Sequence, residues 1–204
     1  MSSAADLEDF RLLKKVAREA GELALTYFEQ ASLNTWDKSK GHPVTEADIA
    51  VNALIQKRLT EESAITLETR QSRRTWIVDP IDGTKAFIKG EPYWCVGLGL
   101  LVEGQACAGV VYAPVLRETY AACSGQGATL NKKPLHISDC QTLAGAGMIA
   151  YPKMFKHPDW PEPWPELRHP KPRPNATLLR LCWVARGDWD ATLALTRKSD
   201  WDIA

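Results

Sequence analysis

Between Trp76 and Thr84 the chain reads Trp-Ile-Val-Asp-Pro-Ile-Asp-Gly-Thr, and no other stretch limits its possible folds as much. Three residues of high strand propensity run straight into two carboxylates, a proline and a Gly-Thr step. A buried strand that ends this way delivers Asp79 and Asp82 together at its carboxyl edge. Pro80 fixes the local turn, and Gly83 lets the backbone approach a ligand closely. Paired hard oxygen ligands beside free backbone N–H groups are what a Mg²⁺–phosphate site requires. The same residue types also make an ordinary Asp-Pro, Asp-Gly turn between two strands, and on residue types alone the two readings stand level.

The flanking pattern places this strand among helices and then more strands. Leu7, Phe10, Leu13, Val16, Ala17, Ala20, Leu23, Ala24, Tyr27 and Phe28 recur at spacings of three and four, which predicts a helix from roughly Asp6 to Gln30. Ser32 to Pro43 reads as a loop or hairpin. Thr45 is a suitable N-cap for a second helix running towards Leu59. Cys95 to Val102 and Ala106 to Tyr112 form a hairpin around Glu103-Gly104-Gln105, followed by a short strand from Glu118 to Ala122. Ser124 to Ala128 is a glycine turn leading into Thr129-Leu130. Pro152 to Pro174, rich in proline and tryptophan, has no usable period and reads as an irregular surface segment. Leu178 to Arg186 predicts a helix, and Asp190 to Leu195 a strand. Helices first, then a run of strands, then mixed elements, argue for an α+β fold.

Composition narrows the partners. Lys plus Arg number 25 and Asp plus Glu 25, so no global field suits a nucleic acid polymer or an acidic membrane. The longest apolar run, Val96 to Val102, is too short to span a bilayer. The first residues lack a basic region followed by an apolar stretch and do not read as a secretory signal. Five cysteines, at 95, 107, 123, 140 and 182, are odd in number and form no Cys-x-x-Cys pair. They read as reduced, mostly buried thiols, and the expected location is the cytoplasm.

Spelled out in full and followed by Lys85-Ala86-Phe87-Ile88, the segment from Trp76 to Thr84 resembles the signature of the inositol monophosphatase family, Mg²⁺-dependent, lithium-sensitive phosphomonoesterases. Three more segments carry the resemblance in the family's order. They are Pro43-Val44-Thr45-Glu46-Ala47-Asp48, Thr60-Glu61-Glu62-Ser63 and Ser199-Asp200-Trp201-Asp202-Ile203-Ala204. The resemblance implies a layered αβαβα sandwich with a possible homodimer as its assembly. Residues 1–134 would form an N-terminal α+β subdomain carrying most metal ligands. Residues 135–204 would begin a C-terminal α/β subdomain that contributes the last Asp ligand.

A water attacking a phosphate monoester needs its pKa lowered and needs charge neutralised on the phosphoryl oxygens. The resemblance assigns these tasks to two or three Mg²⁺ ions and named residues. Glu61, Asp79 and the Ile81 carbonyl hold the first metal, and Asp79, Asp82 and Asp202 the second. The N–H groups of Gly83 and Thr84 take the phosphate. The Thr84 hydroxyl and Asp48 orient the nucleophilic water or a third metal, and Glu61 or its metal promotes deprotonation of that water. Asp82, Gly83, Thr84 and Asp202 also meet the substrate, a small phosphorylated metabolite. Each residue has a plainer reading. Asp48 completes an acidic capping box with Thr45. Glu61-Glu62 is a solvated pair after a helix, Asp202 a helix N-terminal acid, Thr84 an N-cap. Asp188 and Asp190 read as turn residues. Trp160 and Trp164 read as packing of the proline-rich segment ahead of a recognition surface, and the four histidines as structural.

The match departs from the family in three places. The interval from Asp48 to Glu61 is short, with the deficit near Leu59–Thr60, where a helix should end in a loop before the Glu-Glu pair. The sequence stops directly after the Trp-Asp motif. Both suggest that residues are missing there, and a non-catalytic truncated relative that binds a phosphorylated ligand or partner is one alternative. Asn175-Ala176-Thr177 stands where relatives have a Gly-Ser or Gly-Thr step beside the substrate. Lys85 to Lys89 and Val110 to Val115 resemble the 3′(2′),5′-bisphosphate nucleotidase branch more than the inositol branch. That implies adenosine 3′,5′-bisphosphate as substrate, with myo-inositol 1-phosphate as the alternative. Arg173, Arg180, Arg186 and Lys198 are candidates for meeting a second phosphate.

Overall fold

The computed structural model describes residues 4–30, 34–39, 42–62, 74–169 and 171–195. Helix α1 spans Ala4–Phe28 and is followed by a hairpin of β1 (Thr35–Ser39) and β2 (His42–Thr45). Helix α2 (Glu46–Glu62) and strand β3 (Arg74–Asp82) lead to a short helix α3 (Thr84–Ile88). Strands β4 (Cys95–Val102), β5 (Gln105–Ala113), β6 (Glu118–Cys123), β7 (Gly127–Leu130) and β8 (Lys133–Pro134) continue from β3 as one six-stranded antiparallel sheet in chain order. Beyond it lie β9 (Met148–Ile149), helix α4 (Thr177–Ala185) and β10 (Ala191–Thr192), which pairs parallel with β9. The fold is α+β.

Alternation along the strands gives the sheet two unlike faces. Val96, Leu98 and Leu100 of β4 join Ala108, Val110 and Tyr112 of β5 on one face, buried under Leu13, Val16, Ala17, Ala20 and Ala24 of α1. Val51, Ile55 and Leu59 of α2 close the same core. Charged pairs at its rim join the helices: Arg58 to Glu19 at 2.8 Å and Lys15 to Glu62 at 2.6 Å. Arg74 at the start of β3 is clamped by Asp6, at 2.9 Å, and by Asp9 of α1.

Helix α4 packs on β4 and β5 from the opposite face and also touches β10. That face is built small. A Cβ on Gly97 would lie 2.2 Å from Leu178 Cδ1, so the glycine is what lets α4 settle. The far end of α4 is pinned by Arg186, which bonds Glu118 and Asp188, each at 2.6 Å, and the Tyr120 hydroxyl. Asp190 is more than a turn residue: its carboxylate accepts the Gly147 N–H at 2.6 Å and ties the β9 segment to the end of α4's loop.

Several expectations change here. The strand expected over Asp190 to Leu195 is only Ala191–Thr192, because its partner β9 is two residues long. The irregular segment from Pro152 contains one 3₁₀ turn, Pro152–Lys156. Its rings pack on one another, Phe155 to Trp164 at 4.9 Å and Trp160 to Trp164 at 5.0 Å. No helix among the described residues is long and apolar enough to cross a membrane.

The α1–sheet contact makes a direct prediction. A Cβ on Gly21 would sit 2.3 Å from Tyr112 Cδ1, a ring atom held by the Tyr112 hydroxyl bond to Glu22 at 2.7 Å. Gly21→Ala is therefore expected to cost about 1–3 kcal/mol despite alanine's better helix propensity. Urea unfolding of the two proteins measures it.

Candidate active site

Asp79 and Asp82 are three residues apart, an odd spacing that a regular strand would send to opposite faces. Strand β3 avoids this with a bulge. Asp79 pairs with Gly97 and Asp82 with Cys95, so three steps along β3 match two along β4. Gly97 and Cys95 share the face that α4 covers, and both carboxylates are brought to that face. The extra residue falls at Pro80-Ile81, and Ile81 turns into the α1–α2 core with 2% exposure.

The turn that follows is built by backbone demand. Gly83 has φ +94°, and a Cβ there would lie 2.9 Å from the Tyr93 carbonyl oxygen and 3.0 Å from Ala176 Cβ. Its own carbonyl accepts the N–H groups of Ala86 and Phe87, at 2.8 and 3.0 Å, which starts α3. The N–H groups that open such a helix lack intrahelical acceptors. Behind the turn, Phe28, Phe87 and Trp94 pack ring against ring at 4.8–5.4 Å and hold α3 to α1. The Thr84 hydroxyl donates to the Ile81 carbonyl at 3.1 Å, so it steadies the loop between the two aspartates.

Asp82 is 7% exposed and is joined to the other half of the site. Its Oδ2 accepts the Leu178 N–H at 2.6 Å, at the N-terminus of α4. The helix dipole favours a negative charge there. Burial first, then Asp82 and Asp79 among nearby groups, holds the Cys95 thiol well above its ordinary pKa. Cys182 on α4 is pushed up to about 12, again by burial first and then by Asp82.

The remaining predicted residues lie as follows. Asp48 forms the capping box: Thr45 N–H and Oγ1 donate to Asp48 Oδ2 at 2.8 and 2.7 Å, and the Asp48 N–H donates back at 3.2 Å. Burial raises its pKa against those bonds. Glu61 does not follow a loop. Helix α2 continues through Glu62, because Thr60, Glu61 and Glu62 extend it and Lys57 and Arg58 lie one turn back, 3.9 and 4.0 Å from the Glu61 carboxylate. Half of the Glu61 side chain is exposed. Asp202 and Lys198 lie outside the described residues. Of the candidate cations, Arg186 is committed to Glu118 and Asp188, whereas Arg180 is buried in α4 and donates to Thr177 at 3.4 Å.

Among the described residues no group of three or more His, Cys, Asp or Glu side chains is placed to hold a metal ion. Two carboxylates on one face, with the Ile81 carbonyl between them, still fit Mg²⁺, which is commonly held by one or two carboxylates plus water and substrate phosphate. Sequence reasoning missed Cys95 and the α4 N-terminus as parts of this site. Their role comes from strand register and helix docking, which no local pattern reveals.

Known proteins resemble the chain along most of its length. The profile described as the inositol monophosphatase family matches residues 6–204. A Nus factor SuhB from Pasteurella multocida is 31% identical over 206 residues, covering 93% of this chain and 77% of that protein. A histidinol-phosphatase from Chlorobaculum parvum is 37% identical over 138 residues, 64% of this chain and 53% of that protein, so that match spans about half its length. A 3′(2′),5′-bisphosphate nucleotidase CysQ from Salmonella typhimurium is 29% identical over 93% of this chain and 82% of its own. Among solved structures, the extragenic suppressor protein suhB of Bartonella henselae superposes with a TM-score of 0.76 at 23% identity, covering 95% of this chain and 80% of that one.

Proposed function

The chain belongs to the inositol monophosphatase family, and from that premise we propose that it is a Mg²⁺-dependent phosphomonoesterase whose site is the Asp79–Thr84 turn docked against α4. One observation carries the reading. The β3 bulge puts Asp79 and Asp82 on one face beside the left-handed Gly83 turn, so paired carboxylates and helix-opening N–H groups converge.

In this reading Asp79, Asp82 and the Ile81 carbonyl hold Mg²⁺, with Glu61 and Asp202 completing the set. Bound Mg²⁺, as two or three ions, neutralises phosphoryl oxygens and acidifies water. The Gly83 and Thr84 N–H groups hold the phosphate at the start of α3. The Thr84 hydroxyl and Asp48 orient the attacking water, and Glu61 receives its proton. The water oxygen bonds to phosphorus as the ester P–O bond breaks in line, and the leaving oxygen takes a proton from solvent. The chain passes through no covalent phosphoenzyme. A homodimer acting in the cytoplasm is part of the same proposal.

The substrate we propose is adenosine 3′,5′-bisphosphate, losing its 3′-phosphate. Lys85 to Lys89 and Val110 to Val115 support it, and a bisphosphate nucleotidase stands among the relatives that span most of the chain. The histidinol-phosphatase and inositol monophosphatase relatives make the competing substrates specific. Phosphate release by the full-length protein from adenosine 3′,5′-bisphosphate, myo-inositol 1-phosphate and histidinol phosphate decides among them. The expected result is a kcat/KM at least about tenfold higher for the bisphosphate. A higher value for either of the others reassigns the substrate, and no release from any of them favours a non-catalytic relative.

A further inference from the structure

Asp82 does not meet α4 alone. Its antiparallel partner on β4 is Cys95, and the two side chains reach the helix N-terminus side by side. The Leu178 N–H bonds to Asp82 Oδ2 at 2.6 Å, and Cys95 packs beside the next residue of the helix, Leu179. The Cys95 thiol donates in turn to the same Asp82 Oδ2, at 3.9 Å. Helices usually satisfy their first N–H groups from a capping residue just before them. Here the residue before α4 is Ala176, which has no capping side chain, so Asp82 at the end of β3 supplies the acceptor instead.

We propose that Cys95 is a positioning residue for Asp82: its thiol bonds the same oxygen that caps α4 and holds the carboxylate in one orientation, ready for Mg²⁺. The metal half of this proposal rests on the phosphatase reading; the cap does not. A thiol suits the place because it is a weak donor to a carboxylate and still tolerates full burial as a small apolar group. The plainer account is that Cys95 only fills space, since it is fully buried with Ala113, Ala176 and Leu179. The two accounts rank substitutions in opposite order. Serine keeps the donor but is smaller and more polar. Valine fills the volume and offers none.

The test compares the full-length protein with Cys95→Ser and Cys95→Val by hydrogen exchange of the Leu178 amide and by calorimetric titration with Mg²⁺ alone. Cys95→Ala stands in should the valine protein not fold. The expected result is faster exchange of that amide in the valine protein and Mg²⁺ binding weakened roughly tenfold, as for other groups that orient metal ligands. The serine protein is expected to retain both properties. Valine matching wild type in either readout, or serine falling to the level of valine, overturns the proposal while leaving the phosphatase reading intact. A wild-type protein that binds no Mg²⁺ overturns the phosphatase reading, and the metal role of Cys95 falls with it.

Discussion

Asp82→Asn is expected to lower Mg²⁺-dependent phosphate release by roughly a hundred- to a thousandfold while leaving the fold nearly intact. Asparagine keeps the shape of the side chain and one carbonyl oxygen. That oxygen can still accept the Leu178 N–H now bonded to Asp82 at 2.6 Å, so α4 stays docked. What is lost is the charge and the second carboxylate oxygen, both needed to hold a hard cation. Unfolding in urea should therefore differ from wild type by about 1 kcal/mol or less, the net worth of one altered hydrogen bond. Asp82→Leu makes the contrast, because it removes the cap as well and adds a further cost of about 1–2 kcal/mol. Asparagine and leucine proteins of equal stability would argue that Asp82 does not cap α4. An asparagine protein with wild-type turnover would remove Asp82 from the site.

Gly83→Ala is the second large effect. The backbone there has φ +94°, and the new methyl group would lie 2.9 Å from the Tyr93 carbonyl oxygen and 3.0 Å from Ala176 Cβ. Strain and overlap together should cost about 2–4 kcal/mol. The effect should reach catalysis, since relief can come only by moving the turn that carries Asp82 or the segment that starts α4. Adding Ala176→Gly removes one of the two contacts and leaves the other and the positive φ. The double variant should accordingly recover part of the stability and not all of it. Denaturant midpoints of the single and double variants measure this, and full recovery would show that Tyr93 and the backbone angle contribute nothing.

Much of this arrangement was legible in the residues. The spacing of Leu13, Val16, Ala17, Ala20 and Ala24 announced α1, and those side chains are fully buried in the core. Strands β4 and β5 and the turn at Glu103-Gly104 followed from alternation and glycine chemistry. Short elements were less legible: β8 and β9 have two residues each, below the length at which a period exists, and the strand expected over 190–195 shrinks to the two residues of β10. The Asp-Pro-Ile-Asp stretch pointed to a paired-carboxylate turn. The bulge that brings the two side chains to one face is a fact of register, visible only when β4 is set beside β3. Cys95 was read as one more buried thiol for the same reason. The Glu-Glu pair was expected after a break in α2, and its helix-forming residues and the cations at Lys57 and Arg58 carry the helix through it instead.

Phosphate release from adenosine 3′,5′-bisphosphate by the full-length protein, followed as Mg²⁺ is added and then removed with EDTA, tests the central claim most directly. The expected result is turnover that rises with Mg²⁺, stops on chelation, returns when Mg²⁺ is restored, and is absent throughout in Asp82→Asn. Turnover that persists in EDTA, or that survives loss of the Asp82 charge, would contradict a Mg²⁺–phosphate site built on the Asp79–Thr84 turn.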